Sequence, residues 1–277
     1  MEDKIQNSSI KKGNFLKAIF GRTSVQTLLA LLFFLLLWEL IVYLFKIRSY
    51  VLPPPSEILV ALFKYRVKMF TEALYTIRSM FIGYFAAIIL GVLMAVPIAF
   101  SKFMQRTIYP LLVFSQLIPK VALAPIFIIW FGFRLLPKII VVFLLSYFPV
   151  VLNAIVALRT IDQEIINLTR STGASRLRTF FRVRLPNSLP TFFTGFKLAA
   201  ISATIGAVIG EFIGSDAGLG FIILTANGDL QTDMSFAAII ILTLIGLFLY
   251  FTIEFLEHMI IPWHVSQRGL EETISRG

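Results

Sequence analysis

The sequence contains no cysteine, which excludes a disulfide framework and any thiolate metal site. It has two histidines, His258 and His264, both near the C-terminus, so a histidine-based catalytic or metal centre within the apolar body is not expected. Charge is scarce: 14% of residues are Asp, Glu, Lys or Arg, against about 25% in a soluble domain. No G-x4-G-K-[ST] segment occurs, so the chain has no P-loop and is not expected to hydrolyse ATP by that route.

Hydrocarbon is abundant instead. Of 277 residues, 58% are hydrophobic and 28 are Phe. The composition predicts an all-α integral membrane protein, its Phe-rich stripes facing lipid. The net charge of +10 would suit a nucleic-acid partner in a soluble chain. At this apolar content, anionic lipid and membrane topology account for it better.

Six apolar runs are long enough to cross about 30 Å of hydrocarbon: 25–45, 78–100, 107–131, 137–158, 191–213 and 235–261. The first is longer than a signal-peptide core and no small-residue cleavage site follows it, so it is expected to be retained. Glu39 inside it is expected at the outer interface or against another helix. The predicted order is a cytoplasmic tail over 1–24, a first transmembrane helix over 25–45, and an outer amphipathic segment over 46–77. A core transmembrane domain over 78–263 and a cytoplasmic tail over 264–277 follow. In the outer segment Leu52-Pro53-Pro54-Pro55 cannot continue a helix, and Ser56-Glu57 begins an amphipathic one over 57–70. Six spans put both termini on one side. Fifteen Lys and Arg fall on that side and eight on the other, which makes it the cytoplasm.

The stretch 159–190 holds six arginines, Arg159, Arg170, Arg176, Arg178, Arg182 and Arg184. An arginine at the bilayer centre costs roughly 3 kcal/mol or more, so the stretch belongs outside the lipid. Thr160 to Gln163 has the spacing of a capping box and predicts a helix start. Gly173 ends that helix or forms an elbow. Ser175 can cap a second helix, on which Leu177, Phe180 and Phe181 share a face. Pro186 and Pro190 are expected to end the excursion. An apolar face among arginines, hung below a membrane, calls for a protein partner.

Within the spans, Gln116, Pro119 and Lys120, with Ser115 and Pro125 beside them, suggest a polar lining where helices surround a cavity. Lys120 is expected either to line that path or to pair with a carboxylate such as Glu211. Glu211, flanked by Gly210 and Gly214, is expected to shape an outer gate, to pair across a dimer, or to sit near water. Lys197 is expected to anchor the inner surface. A short re-entrant helix is expected over 219–226.

From Gly173, nine residues lead to Val183-Arg184-Leu185-Pro186. This resembles the cytoplasmic loop E-A-A-x3-G-x9-I-x-L-P of permease subunits in binding-protein-dependent ABC importers. Asn167, Leu168 and Thr169 stand where that pattern has Glu-Ala-Ala. Leu52-Pro-Pro-Pro-Ser56, Gln116 to Gly132 and Gly210 to Gly220 look like the nitrate, sulfonate and taurine branch. The resemblance implies the type I permease fold, with six transmembrane helices and cytoplasmic coupling helices. It implies an ATPase-coupling loop using Asn167, Gly173, Ala174, Arg176, Leu177, Arg178, Phe180, Phe181, Leu185 and Pro186. It implies a path involving Gln116, Pro119, Lys120 and Glu211, and a small, anionic solute delivered by an extracytoplasmic binding protein. The implied partners are ABC ATPase subunits, which would hold ATP and magnesium, and a second permease copy; no cofactor is expected in this chain. A secondary transporter or channel working without an ATPase is the alternative. It would favour inverted repeats and paired acidic or His residues, and no convincing repeat is found. A membrane-embedded lipid transferase would want clustered Asp, His or Ser.

Overall fold

The computed structural model describes residues 22–161 and 163–262. Most of the two tails, with His264, lies outside the described residues. All regular structure among the described residues is helical. The helices are α1 (Arg22–Leu44), α2 (Pro55–Lys64), α3 (Arg66–Phe100), α4 (Lys102–Leu117), α5 (Lys120–Phe131), α6 (Leu135–Arg159), α7 (Gln163–Ser171), α8 (Arg176–Thr179), α9 (Leu185–Gly214), α10 (Leu219–Gly228) and α11 (Thr232–Ile260). Five helices are long and apolar enough to cross a membrane alone: α1, α3, α6, the rod ending in α9, and α11. Taken together as one span, the pair α4 and α5, bent by 91° at the break between them, makes a sixth crossing. The chain is an all-α, multi-pass membrane protein.

Three boundaries differ from sequence expectation. Helix α3 starts at Arg66 rather than near 78 and runs 35 residues, or about 52 Å at 1.5 Å per residue. The amphipathic helix expected over 57–70 is divided at Tyr65, and its second half continues into the membrane helix. The third span is broken at Ile118 and Pro119, because proline restricts the residue before it to extended backbone; Ile118 sits at ψ 122°. Pro186 and Pro190 do not end the loop. Pro186 lies directly after the π turn Phe180–Arg184, in the first turn of α9. Pro190 lies inside α9, and the helical rod is unbroken from Arg176 to Gly214.

The core is α3, α6 and α9, packed at backbone distance. A Cβ on Gly83 would lie 2.6 Å from Val142 Cβ, and one on Gly206 2.8 Å from Val142 Cα. Small residues permit this contact, and dispersion between closely spaced helices then replaces a hydrophobic drive that is absent in lipid. Tyr84, fully buried, donates from its hydroxyl to Phe196 O at 3.0 Å and ties α3 to α9. An outer cluster of Ile58, Met69, Leu219, Ile222 and Met234 joins α2, α3, α10 and α11. Helix α1 is peripheral. Its Glu39 accepts from Ser56 N at 3.1 Å and Ser56 Oγ at 2.7 Å, satisfying an N–H at the start of α2, and Trp38 packs on Phe236. Glu39 therefore has a helix partner.

Candidate functional site

Three places gather the polar residues singled out in the sequence. The first is a knot at the outer end. Helix α10 begins at Gly218 with φ +113°, and three N–H groups at its start meet side chains. Gly218 N donates to Glu72 Oε2 at 2.6 Å, Leu219 N to Thr76 Oγ1 at 2.9 Å, and Gly220 N to Glu211 Oε2 at 2.7 Å. Thr76 Oγ1 donates to Glu211 Oε2 at 3.1 Å. Two carboxylates thus cap the positive end of one helix, and α3, α9 and α10 are fastened together. Lys138 of α6 adds a bond from Nζ to Ser215 Oγ and one to Ala217 O at 3.4 Å. Glu211 is only 1% exposed, so it does not sit near water, and no bond joins it to Lys120. The partners Glu72 and Thr76 were missed. Their signal was polar residues one turn apart, at i and i+4, in an apolar helix.

The second place is a cavity of about 690 Å³ between α3, α4, α5 and α6. Ser115, Gln116 and Lys120 line it, as does Ile118 at the break. Lys120 Nζ donates to Gln116 Oε1. Lys120 stands in the first turn of α5, where the helix dipole adds positive potential. Pro119, the residue before α5, sets the bend that turns Lys120 toward Gln116. The cavity lining includes Phe143 and Tyr147 of α6, which the sequence reading did not single out; their spacing of four residues was the available signal. Glu211 is not among the lining residues. Lys197 lies apart from both places, in an ion pair with Glu257 of α11 at 2.7 Å. It is a paired charge between two helices rather than a surface anchor.

The third place is the loop. Thr160 closes α6, its N–H and its hydroxyl both donating to Val156 O at 3.0 Å. The remainder of the expected capping box falls on Asp162 and the Gln163 side chain, outside the described residues. Helix α7 is anchored by buried Ile166. Gly173 has φ +80°, a left-handed angle that glycine adopts without strain, and its added Cβ would meet nothing. Ser175 caps α8, accepting from Arg178 N at 3.3 Å. Beyond α8 a π-helical turn, Phe180–Arg184, rotates the face. Phe180, at the start of that turn, packs inward onto Phe100, with ring centroids 5.9 Å apart, and the Arg184 guanidinium lies 5.1 Å from the same ring. Phe180 does not share an exposed face with Leu177 and Phe181, which are 72% and 58% exposed. Leu168 joins them on the outside at 69%. Asn167, Arg176 and Arg178 are exposed, while Ala174, Leu185 and Pro186 are half-buried.

Comparison with known proteins gives the family. The family described as binding-protein-dependent transport system inner membrane component matches residues 87–262. A probable ABC transporter permease protein of Haemophilus influenzae is 36% identical over 231 residues, covering 83% of this chain and 94% of the relative. The formylaminopyrimidine transport permease protein ThiX of Halalkalibacterium halodurans is 34% identical over 250 residues, 89% of this chain and 100% of the relative. The taurine transport system permease protein TauC of Escherichia coli is 27% identical over 248 residues, 87% and 89% respectively.

Proposed function

This chain belongs to the permease subunits of binding-protein-dependent ABC importers, and we propose that it forms the solute path of such an importer and couples it to ATPase subunits through residues 163–184. It is a transport component of the inner membrane rather than an enzyme. The observation that carries the proposal is the loop. Leu168, Leu177 and Phe181 are exposed among arginines, on helices anchored from behind by Ile166, Phe180 and Arg184. An apolar patch fixed in this way suits a groove on a protein partner, and the arginines suit an acidic rim around it. ATP and magnesium are held by that partner. Both termini and the loop lie on the cytoplasmic side, and a binding protein meets the opposite face, which the outer knot holds rigid.

Two copies of the chain enclose the path. Closure of the ATPases moves the loops, and the helices rock around the central cavity. The solute is small. Relatives are named for taurine and for formylaminopyrimidine, and what both solutes bring to Lys120 is an acceptor or anionic group. Glu211 contributes by fixing the outer helix, not by touching solute.

The test is capture of the ATPase by membranes carrying wild type, Leu177→Ala/Phe181→Ala or Gly173→Val. The double variant removes the patch. The valine at φ +80° strains the elbow by roughly 1–3 kcal/mol. Both variants are expected to insert normally, to lose most ATPase capture, and to lose uptake with it. Wild-type capture and uptake in both would overturn the coupling role.

A further inference from the structure

We propose that the central cavity is shaped for a flat aromatic heterocycle that presents hydrogen-bond acceptors to Lys120, and not for a compact hydrated anion or an amino-sulfonate. The inference rests on the reading of this cavity as the solute path. Its volume, about 690 Å³, falls in the range of small-molecule sites, roughly 300–1,000 Å³.

The walls decide the class. Leu93 and Met94 of α3 face the cavity with Leu144 of α6. Phe143 and Tyr147, one turn apart on α6, have ring centroids 5.2 Å apart at 39°. Aromatic rings and a thioether gain most from a flat, polarisable body laid against them. The nitrogen-bearing groups meet in one place, Gln116 and Lys120. Their mutual bond occupies the Gln116 carbonyl, so the pair offers the cavity N–H donors. Ser115 already gives its proton to Leu112 O at 2.6 Å. Among the described residues, no carboxylate of this copy lines the cavity.

That inventory discriminates between solutes. An amino-sulfonate carries an ammonium, and its three N–H donors would find no carboxylate here. Nitrate would exchange a hydration shell for one ammonium and apolar walls, a poor replacement for a charged group leaving water. A heterocycle asks less. Its ring nitrogens and carbonyl oxygens accept from Lys120 and Gln116, and its faces cover Phe143, Tyr147 and Met94.

The experiment uses the absence of cysteine. Leu144→Cys places one thiol in the cavity of the full-length permease in its membrane, with its ATPase bound. Labelling by a charged, water-borne maleimide is timed alone and with equal millimolar cytosine, taurine or nitrate. Cytosine is expected to slow labelling several-fold, and taurine and nitrate to leave it unchanged. The protection is expected to persist in Tyr147→Phe and to vanish in Tyr147→Leu. Protection by taurine or nitrate equal to that by cytosine, or protection by none of the three, overturns the solute class while leaving a water-filled path. A thiol that the reagent never reaches overturns the path itself.

Discussion

Glu211 and Lys120 look alike in sequence: each is a lone ionisable residue in an apolar run, flanked by residues that bend or narrow a helix. Their surroundings are opposite. Around Glu211, an amide and a hydroxyl from two other elements converge on Oε2 while Oε1 is buried without a partner, and neighbouring bonds to Glu72 and Thr76 and from Lys138 close the outer end. Around Lys120 there is one neutral partner, Gln116, and open volume. A charge in a membrane is costly unless it is paired. The outer carboxyl offsets part of that cost by capping a helix through Oε2. The central one keeps donors unused, which is the state a solute-facing group requires. The contrast separates a residue that holds the frame from one that meets the cargo.

The largest effect that would test it is at Gly218. A Cβ there would stand on the Glu211 carboxylate, and φ +113° is strained for any other residue. Gly218→Ala is expected to cost on the order of 3 kcal/mol or more, read as a lower Tm of the detergent-solubilised permease. Glu211→Ala should follow at roughly 1–3 kcal/mol, since it strands the Gly220 amide and the Thr76 hydroxyl. Glu211→Gln should recover part of that loss, because its carbonyl can still accept. A Glu211→Ala variant with wild-type Tm and no uptake would break the contrast.

Lys120→Met is expected to do the reverse. The methionine keeps most of the stem and its packing, so Tm and ATPase capture should stay near wild type. Solute-stimulated ATP hydrolysis should fall about tenfold, the equivalent of losing one charge-assisted hydrogen bond of roughly 1.5 kcal/mol. If the variant fails to assemble, Lys120 belongs with the frame.

How much of this was legible in the sequence follows from the range of each interaction. The number of crossings is a local property of composition, and the runs at 25–45, 137–158 and 235–261 lie within a few residues of α1, α6 and α11. The Ser175 cap and the Gly173 elbow depend on neighbours within four residues and were legible too. The outer knot was not. Glu72 and Gly218 are 146 positions apart, so the polar start of α3 read as part of a separate outer amphipathic segment. The break at Pro119 carried its signal, yet hydropathy is blind to a bend of 91°. Phe180 was misplaced for a phase reason. Phe180 stands at i+3 from Leu177 and Phe181 at i+4, so the two rings fall on either side of Leu177, and only Phe181 stays outside.

The smallest expected effect concerns a third ionisable residue, which the contrast places with the frame. Lys197 and Glu257 join α9 to α11 at 2.7 Å, with side chains 20% and 10% exposed. Like Glu211 Oε2, Lys197 Nζ has a protein partner, so it should carry no transport role. Replacing Lys197 alone leaves the Glu257 carboxylate without its cation, and replacing Glu257 alone leaves the ammonium. Removing both and filling the space with apolar side chains takes away the mutual attraction and the desolvation cost together, and these nearly cancel. The double variant Lys197→Met/Glu257→Leu is therefore expected within about 1 kcal/mol of wild type, less destabilised than either single variant. The resulting non-additivity in Tm is the signature of direct coupling. Uptake in the double variant should match wild type, in contrast to Lys120→Met. A double variant that keeps its Tm but loses uptake would show that a satisfied charge can also serve transport, and pairing would no longer separate frame from cargo.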